Sequence, residues 1–178
     1  MTPPTRENVL DLPARRRIVE HVQAHPGIHL RALAEQLGVP VSSLEHHIYH
    51  LLRTGHLSAR DEGGHKAFFP AEGLDRRDKD ILALVRQDVV RRVCAHLALH
   101  PGATPKELHR VAGVSAATLS FHLKKLRGAG ITEETPAGRT KHIQLVDAER
   151  VANVLVTYRE SFLDGAVDRF AKAWMSLR

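Results

Sequence analysis

Residues 105–130, PKELHRVAGVSAATLSFHLKKLRGAG, decide the fold because they are typical of a helix, a tight turn and a second helix. Gly113 ends the first helix, since glycine takes the left-handed conformation of a helix C-terminus without strain. Ser115 is placed to cap the next helix, where its oxygen accepts hydrogen bonds from unpaired backbone N–H groups. That second helix has one apolar stripe at helical spacing, formed by Leu119, Leu123 and Leu126.

The face opposite this stripe has small or polar side chains near its start and cations further along. A helix that enters the major groove of double-stranded DNA has this arrangement, with small or hydrogen-bonding side chains for base edges and Lys or Arg for phosphates. We expect Ala117 on the contact face and four residues nearest the base edges: Thr118, Ser120, Phe121 and Lys124. Two further cations, Lys125 and Arg127, are expected to hold phosphates.

Residues 115–131, SAATLSFHLKKLRGAGI, resemble the recognition helix of the ArsR/MarR-type winged-helix regulators and its glycine-ended exit into the wing. The resemblance is fairly specific because the spacing, the glycines and the HLKKL motif occur together. It implies a winged helix-turn-helix fold and a prokaryotic transcriptional regulator. Metal sensing is not implied, because the metal-sensing relatives carry a cysteine pair in this helix and this sequence has none there.

The chain repeats itself at an offset of 75 residues without a gap. Thirteen of the forty residues 16–55 are identical to their counterparts in 91–130, including His-Pro-Gly at 25–27 and again at 100–102. Two copies of one structural unit explain this agreement best. The predicted helices are 13–25, 30–37 and 41–54 in the first copy, and 80–99, 105–112 and 116–129 in the second.

Each third helix is followed by a hairpin pattern, in which short strands flank a glycine-containing turn. The predicted strands are 57–61 and 66–69 in the first copy, and 131–135 and 140–146 in the second. Three helices and a hairpin follow the winged-helix order, with the hairpin as the wing. We expect Lys66 in the first wing, and Arg139 and Lys141 in the second, to contact phosphates. The alternative role for Phe121 is packing against the wing or the partner domain.

The predicted fold is therefore mainly α with small β-hairpin wings, as two winged helix-turn-helix domains and a C-terminal helical extension. The segments are a flexible arm at 1–12, a first domain at 13–70, a charged linker at 71–79, a second domain at 80–146 and the extension at 147–178.

The third helix of the first copy departs from its counterpart. Pro40 stands where the second copy has Ser115, and the outward face is polar but weakly charged at neutral pH. Its candidate DNA contacts are Ser42, Ser43, His46, Tyr49, His50 and Arg53. This face either contacts bases or serves domain packing or a protein partner, and the sequence leaves both open.

The positive charge is concentrated in the second copy. The net charge is +6, and residues 100–146 hold seven Lys or Arg against three Asp or Glu. Between Leu108 and Thr132 there is no carboxylate, which favours a polyanionic partner such as double-stranded DNA. No apolar run approaches the ~18 residues of a membrane span, and no signal peptide is apparent. We expect a cytoplasmic protein that is nucleoid-associated when bound to DNA, without a membrane partner.

Metal, cofactor and enzyme functions find little support in the sequence. Thirteen histidines include i, i+4 pairs such as His46 and His50, but two ligands are half a site and nothing nearby completes it. Cys94 is the only cysteine and lies in an apolar pattern, so a disulfide scaffold and cysteine-based zinc sites are excluded. No phosphate-binding glycine loop, HExxH motif or nucleophile elbow is present. We expect neither metal, cofactor nor enzymatic activity, and no small-molecule effector is identifiable.

The extension carries apolar stripes, one of them formed by Val151, Leu155, Tyr158 and Phe162, and a break is predicted at Asp164-Gly165. Such a stripe without an internal partner commonly pairs with another chain, so we expect a homodimer through 147–178. The alternative is that the extension folds back on the helices of its own chain. For the whole protein, the alternative to a sequence-specific DNA-binding regulator is a winged-helix scaffold that binds proteins and has no specific DNA target.

Overall fold

The computed structural model describes residues 12–62, 64–162 and 165–177. Most of the predicted N-terminal arm, Gly63 of the first hairpin turn and Asp164 of the predicted break therefore lie outside the described residues. The chain divides into two compact units, Met1–Lys79 and Asp80–Arg178.

The first unit is a three-helix domain closed by a small antiparallel sheet. Its helices are α1 (Pro13–Ala24), α2 (Leu30–Leu37) and α3 (Val41–Arg53). Its strands are β1 (Ile28–His29), β2 (Leu57–Glu62) and β3 (His65–Pro70), in the order β1-β3-β2. The apolar faces of the helices meet over this sheet, and Leu33, Leu44 and Leu51 are fully buried there. Each such leucine contributes about 2 kcal/mol of burial free energy.

The second unit begins within helix α4 (Arg76–Val85) and repeats the first unit's plan. Its further elements are α5 (Asp88–Leu99), α6 (Pro105–Ala112), α7 (Ala116–Gly128), β4 (Thr132–Ala137), β5 (Thr140–Leu145), α8 (Ala148–Thr157), a 3-10 helix (Arg159–Phe162) and α9 (Gly165–Ser176). Strands β4 and β5 form a two-stranded antiparallel wing. Leu108, Leu126 and Leu155 lie in its core with no more than 2% of their surface exposed.

The sequence repeat is also a structural repeat. The bounds of α1, α2, α3, β2 and β3 recur 75 residues later as those of α5, α6, α7, β4 and β5. Even the pairing of Ile28 with Phe68 has its counterpart, an isolated bridge between Ala103 and Ile143. The prediction of a mainly helical fold with two winged helices is therefore confirmed.

The prediction of one helix at 80–99 in the second copy is wrong, because two helices cover this segment. Helix α4 ends at Val85 and α5 starts at Asp88, with Gln87 as an extended N-cap residue. The Arg86 guanidinium between them donates to the backbone oxygen of Ser161 at 2.9 Å and to its hydroxyl at 3.1 Å. Burial, with a smaller contribution from Arg91, lowers the pKa of Arg86 to about 10. In addition, α4 begins inside the predicted linker, which is thus partly helical.

The C-terminal extension packs on its own chain, as the alternative interpretation held. Helices α8 and α9 contact α5 and each other. The predicted stripe is buried at Val151, Leu155 and Phe162, and the Phe162 ring centroid lies 5.0 Å from the guanidinium carbons of both Arg86 and Arg91. The expectation of a stripe without an internal partner is wrong, because α5 offers an apolar face that the three-helix plan leaves uncovered.

Candidate nucleic-acid interface

Helix α7 is held at its start by a side-chain cap. Ser115 Oγ accepts the backbone N–H of Thr118 at 3.2 Å and lies 2.8 Å from Thr118 Oγ1. The preceding turn is closed by Gly113, whose φ of 64° is the left-handed conformation that the sequence predicted. The predicted base-contacting residue Thr118 is exposed, but its hydroxyl also belongs to the cap. The cap therefore fixes the end of the helix that carries the small polar residues.

Helix α6 has a capping box that the sequence analysis missed. Thr104 Oγ1 accepts the backbone N–H of Glu107 at 3.3 Å, and Glu107 Oε2 accepts the backbone N–H of Thr104 at 2.7 Å. The hydrogen bond from the Thr104 backbone is the main reason that the pKa of Glu107 is lowered. The signal was present as Thr-x-x-Glu at residues 104–107.

The outer face of α7 is open to solvent. Five predicted contact residues on this helix are exposed in addition to Thr118: Ala117, Ser120, Phe121, Lys124 and Arg127. Phe121 keeps 60% of its surface exposed, so the alternative of packing against the wing is not realised. Lys125 is half-buried and places its Nζ 5.9 Å from the centroid of the Phe121 ring. This cation–π contact directs a positive charge along the outer face.

The second wing brings two of the predicted phosphate ligands together on one carboxylate. Arg127 Nη1 of α7 lies 2.8 Å from Glu134 Oε2, and Lys141 Nζ of β5 lies 2.8 Å from Glu134 Oε1. The pKa of Glu134 is lowered, chiefly by the hydrogen bond from Lys141 and further by Arg127. Arg139, at the exposed turn of the wing, is not part of this cluster. Glu134 was not predicted from the sequence, because its ion pair with Arg127 depends on how the hairpin packs against α7.

A cleft of about 470 Å³ opens beside this cluster, between α6, α7 and the wing. Pro105, Leu119 and Leu123 supply apolar lining, and Glu134 is the one carboxylate among the lining residues of this pocket. Its positively charged lining residues are Lys106, Lys124, Arg127 and Lys141. The outer face of α7 thus continues into a positively charged cleft.

The corresponding face of α3 is different in character. Pro40 makes no side-chain cap, and Ser42, Ser43, His46 and Tyr49 are exposed. The guanidinium of Arg53 stacks over the ring of Tyr49, 5.6 Å from the ring centroid. The remaining candidates of the first unit are the half-buried His50 and the exposed wing residue Lys66.

Two of the α3 histidines are less basic than a free imidazole. The pKa values of His47 and His50 are lowered, first by burial and then by Arg15 and His46. His46 and His50 lie 4.8 Å apart between ring centroids. Within the described residues, no group of three or more His, Cys, Asp or Glu side chains is arranged to hold a metal ion. Burial raises the pKa of Cys94 to about 12, so its thiol is unreactive.

The described part of the chain has no helix with the length and apolar character needed to cross a membrane.

Both helical units match known families. Residues 13–82 match a family described as an N-terminal HTH domain, and residues 87–135 match a family described as a helix-turn-helix domain. A curated relative from Methanocaldococcus jannaschii, described as an uncharacterized HTH-type transcriptional regulator, is 29% identical over 132 residues. That alignment covers 74% of this chain and 33% of the relative, so the chain spans about one third of the relative's length. Both family matches are to helix-turn-helix domains, as the sequence analysis predicted for the two copies.

Proposed function

Since this chain carries two helix-turn-helix domains in tandem, we propose that it binds double-stranded DNA sequence-specifically and regulates transcription. In this proposal α7 enters the major groove, and Thr118, Ser120, Phe121 and Lys124 lie nearest the base edges. Lys125, Arg127, Arg139 and Lys141 hold phosphates. The two DNA-binding domains are residues 13–70 and 80–146. The protein acts in the cytoplasm, on the nucleoid.

The observation that carries the proposal is the outer face of α7. Along residues 108–132 the chain has no carboxylate, and the exposed residues of α7 pass from small and polar to cationic. Exposed Phe121 offers an apolar surface of the kind that contacts a thymine methyl group. Small groups for base edges beside cations for phosphates are what a major-groove helix requires.

The first domain is proposed to occupy an adjacent stretch of DNA, from the same chain or across a dimer. The proposal has less support from charge here than in the second domain, because α3 contains one Lys or Arg, Arg53. Ser42, Ser43, His46, Tyr49 and His50 nevertheless supply hydrogen-bonding groups at the outward positions of that helix. Lys66 supplies a wing cation, as Lys141 does at the equivalent position of the second copy.

A homodimer through 147–178 remains a prediction. Because the inner stripe is buried within the second unit, the surface that α9 offers a second chain is its far end. Met175 and Leu177 keep 52% and 71% of their surface exposed there. Mass determination of the free protein and of its DNA complex tests this prediction.

The α3 face supports a second candidate function, a scaffold that binds proteins. Tyr49 is 56% and Val41 39% exposed, and the pKa values of His47 and His50 on the same helix are lowered. An apolar protein interface responds little to salt, whereas binding through several phosphates weakens steeply with salt. Salt dependence of binding therefore separates the two functions.

Sequence specificity is tested by selecting duplexes from a random pool and repeating the selection with Ser120→Ala. We expect the wild type to enrich a defined site. The variant should lose preference at one base position, by about 5-fold or more, with an unchanged salt slope. Lys172→Ala, at an exposed position of α9, is the control and should enrich the wild-type site. Failure of the wild type to enrich any site would contradict specific recognition.

A further inference from the structure

Glu134 lies where a DNA phosphate is expected to bind. Each of its carboxylate oxygens accepts one cationic donor at 2.8 Å, Oε2 from Arg127 and Oε1 from Lys141. The Glu134 side chain is 22% exposed, whereas the side chains of Arg127 and Lys141 are 52% and 45% exposed. The carboxylate is therefore the most enclosed member of the cluster, and both cations stay accessible to an anion from solvent.

The chemistry of the two donors suits a phosphodiester as well as a carboxylate. Both anions present two charged oxygens on one atom, and Arg and Lys bind either of them. The cleft of about 470 Å³ beside the cluster leaves room for the larger group. Lys106 and Lys124 also line it, so an entering phosphate meets further positive charge.

We propose that Arg127 and Lys141 form an anion site that Glu134 occupies in the free protein and a DNA backbone phosphate occupies in the complex. This inference rests on the proposed DNA-binding function and deepens it. Glu134 is then an internal competitor, because a phosphate must displace it to reach both cations. It lowers affinity for every DNA sequence alike and leaves base preference unchanged.

The first copy has no glutamate at the position equivalent to Glu134. At the offset of 75 residues, the position of Glu134 is occupied by Ala59 and that of Arg127 by Leu52. The equivalent of Lys141 is Lys66. The first wing therefore keeps Lys66 but lacks the equivalents of Glu134 and Arg127, and the cross-strand partner of Lys66 is Asp61. This difference accompanies the difference in charge between the outer faces of α3 and α7, which suggests that only the charged copy needs its affinity moderated.

The chain provides a matched control for the test. Glu133 precedes Glu134 in β4 but is exposed on the other face of the strand, where its Oε1 accepts from Gln144 Nε2 at 2.6 Å. Glu133→Gln and Glu134→Gln change the net charge equally and keep the side-chain shape. Only Glu134→Gln releases Arg127 and Lys141. Titrations of a labelled 30-base-pair duplex with both variants and the wild type, at several salt concentrations, measure the difference.

We expect Glu134→Gln to bind about 2- to 25-fold more tightly at 0.1 M salt, since an exposed ion pair shifts an equilibrium about 1.5- to 5-fold and two are released. Its salt slope should steepen by about 1. Glu133→Gln should gain less than about 2-fold, because salt screens a charge that touches no phosphate ligand. In a Lys141→Gln background, Glu134→Gln should lose at least half of its gain.

Each other result overturns the inference in a recognisable way. Equal affinities for the two glutamine variants mean that Glu134 does not compete with phosphate. Weaker binding by Glu134→Gln, with an unchanged melting temperature, means that Glu134 positions the cations for DNA instead. In both cases salt-dependent binding by all three proteins leaves the proposed function standing. Absence of binding by all three overturns the inference and the proposed function together.

Discussion

Replacing Lys124 and Lys125 by alanine removes the two adjacent cations of the α7 outer face. Lys124 is exposed, and Lys125 is directed along this face by its contact with Phe121. Neither lysine belongs to the buried leucine stripe, and alanine has the higher helix propensity. We therefore expect the double variant Lys124→Ala/Lys125→Ala to fold as the wild type does and to lose DNA affinity.

The size of the loss follows from counterion release. Each lysine charge that displaces a counterion from the DNA contributes about 0.9 to the slope of log K against log salt, whether the lysine lies at a phosphate or beside a base edge, so Lys124 and Lys125 together contribute about 1.8. At 0.1 M salt this corresponds to roughly 60-fold weaker binding, and near 1 M salt the difference should vanish. A purely local role in helix stability would give a change that does not depend on salt.

The assay is a fluorescence-anisotropy titration of one labelled duplex at four salt concentrations. The matched control is Arg169→Ala/Lys172→Ala, which removes two exposed charges from α9. The control should bind with nearly the wild-type slope, because α9 lies outside the proposed interface. A wild-type slope for Lys124→Ala/Lys125→Ala, or an equal loss of affinity by the control, would show that these two lysines do not contact the DNA.

Three further predictions concern the scaffold of the interface. Ser115→Ala should destabilise the second unit by about 1 kcal/mol through loss of the α7 cap, and thermal unfolding at neutral pH measures this. Gly113→Ala should cost about 1 kcal/mol or more, because φ is 64° and Arg92 Nη1 lies 3.3 Å from the added Cβ. By contrast, Gly128→Ala, with open space at a helical residue, should stabilise by up to about 1 kcal/mol, and equal effects of the two changes would contradict this account. The pKa values of His47 and His122 are lowered mainly by burial, so the folded protein binds fewer protons than the unfolded chain. Their contribution to stability is complete above about pH 6.5 and is lost as the pH falls through the folded pKa values, so the melting temperature should drop between pH 7.5 and pH 5. The double variant His47→Gln/His122→Gln should reduce that drop, and an unchanged pH dependence would show that other groups cause it.

The repeat was the most informative part of the sequence, and the structure follows it closely. Helices, turns and wings depend on local signals, such as Gly113 at the end of α6 and Ser115 before α7. Because each copy carries these signals at the same offset, each supports the interpretation of the other. The bounds of ten elements are therefore related by a single shift.

What the sequence did not predict depends on contacts between distant residues. The break between α4 and α5 accompanies the contacts of Arg86 with Ser161, which lies 75 residues further along the chain. The ion cluster at Glu134 needs the register that pairs Glu134 with Ile143 and places Lys141 two residues along the same face of β5. Such pairs are visible only once the hairpin and α7 have been placed in space.

The fold-back of the extension was predicted only as an alternative. Its stripe of Val151, Leu155 and Phe162 is the same whether it meets α5 or another chain. Periodicity identifies an apolar face but not the surface that covers it.

The most direct test of DNA-binding regulation is a titration of labelled random-sequence DNA and of DNA from the protein's own promoter at two salt concentrations. The mass of each complex should be determined alongside. A DNA-binding regulator should bind tightly, lose affinity steeply with salt and prefer the promoter DNA. Weak binding without preference between the two DNAs, and without a response to salt, would contradict it.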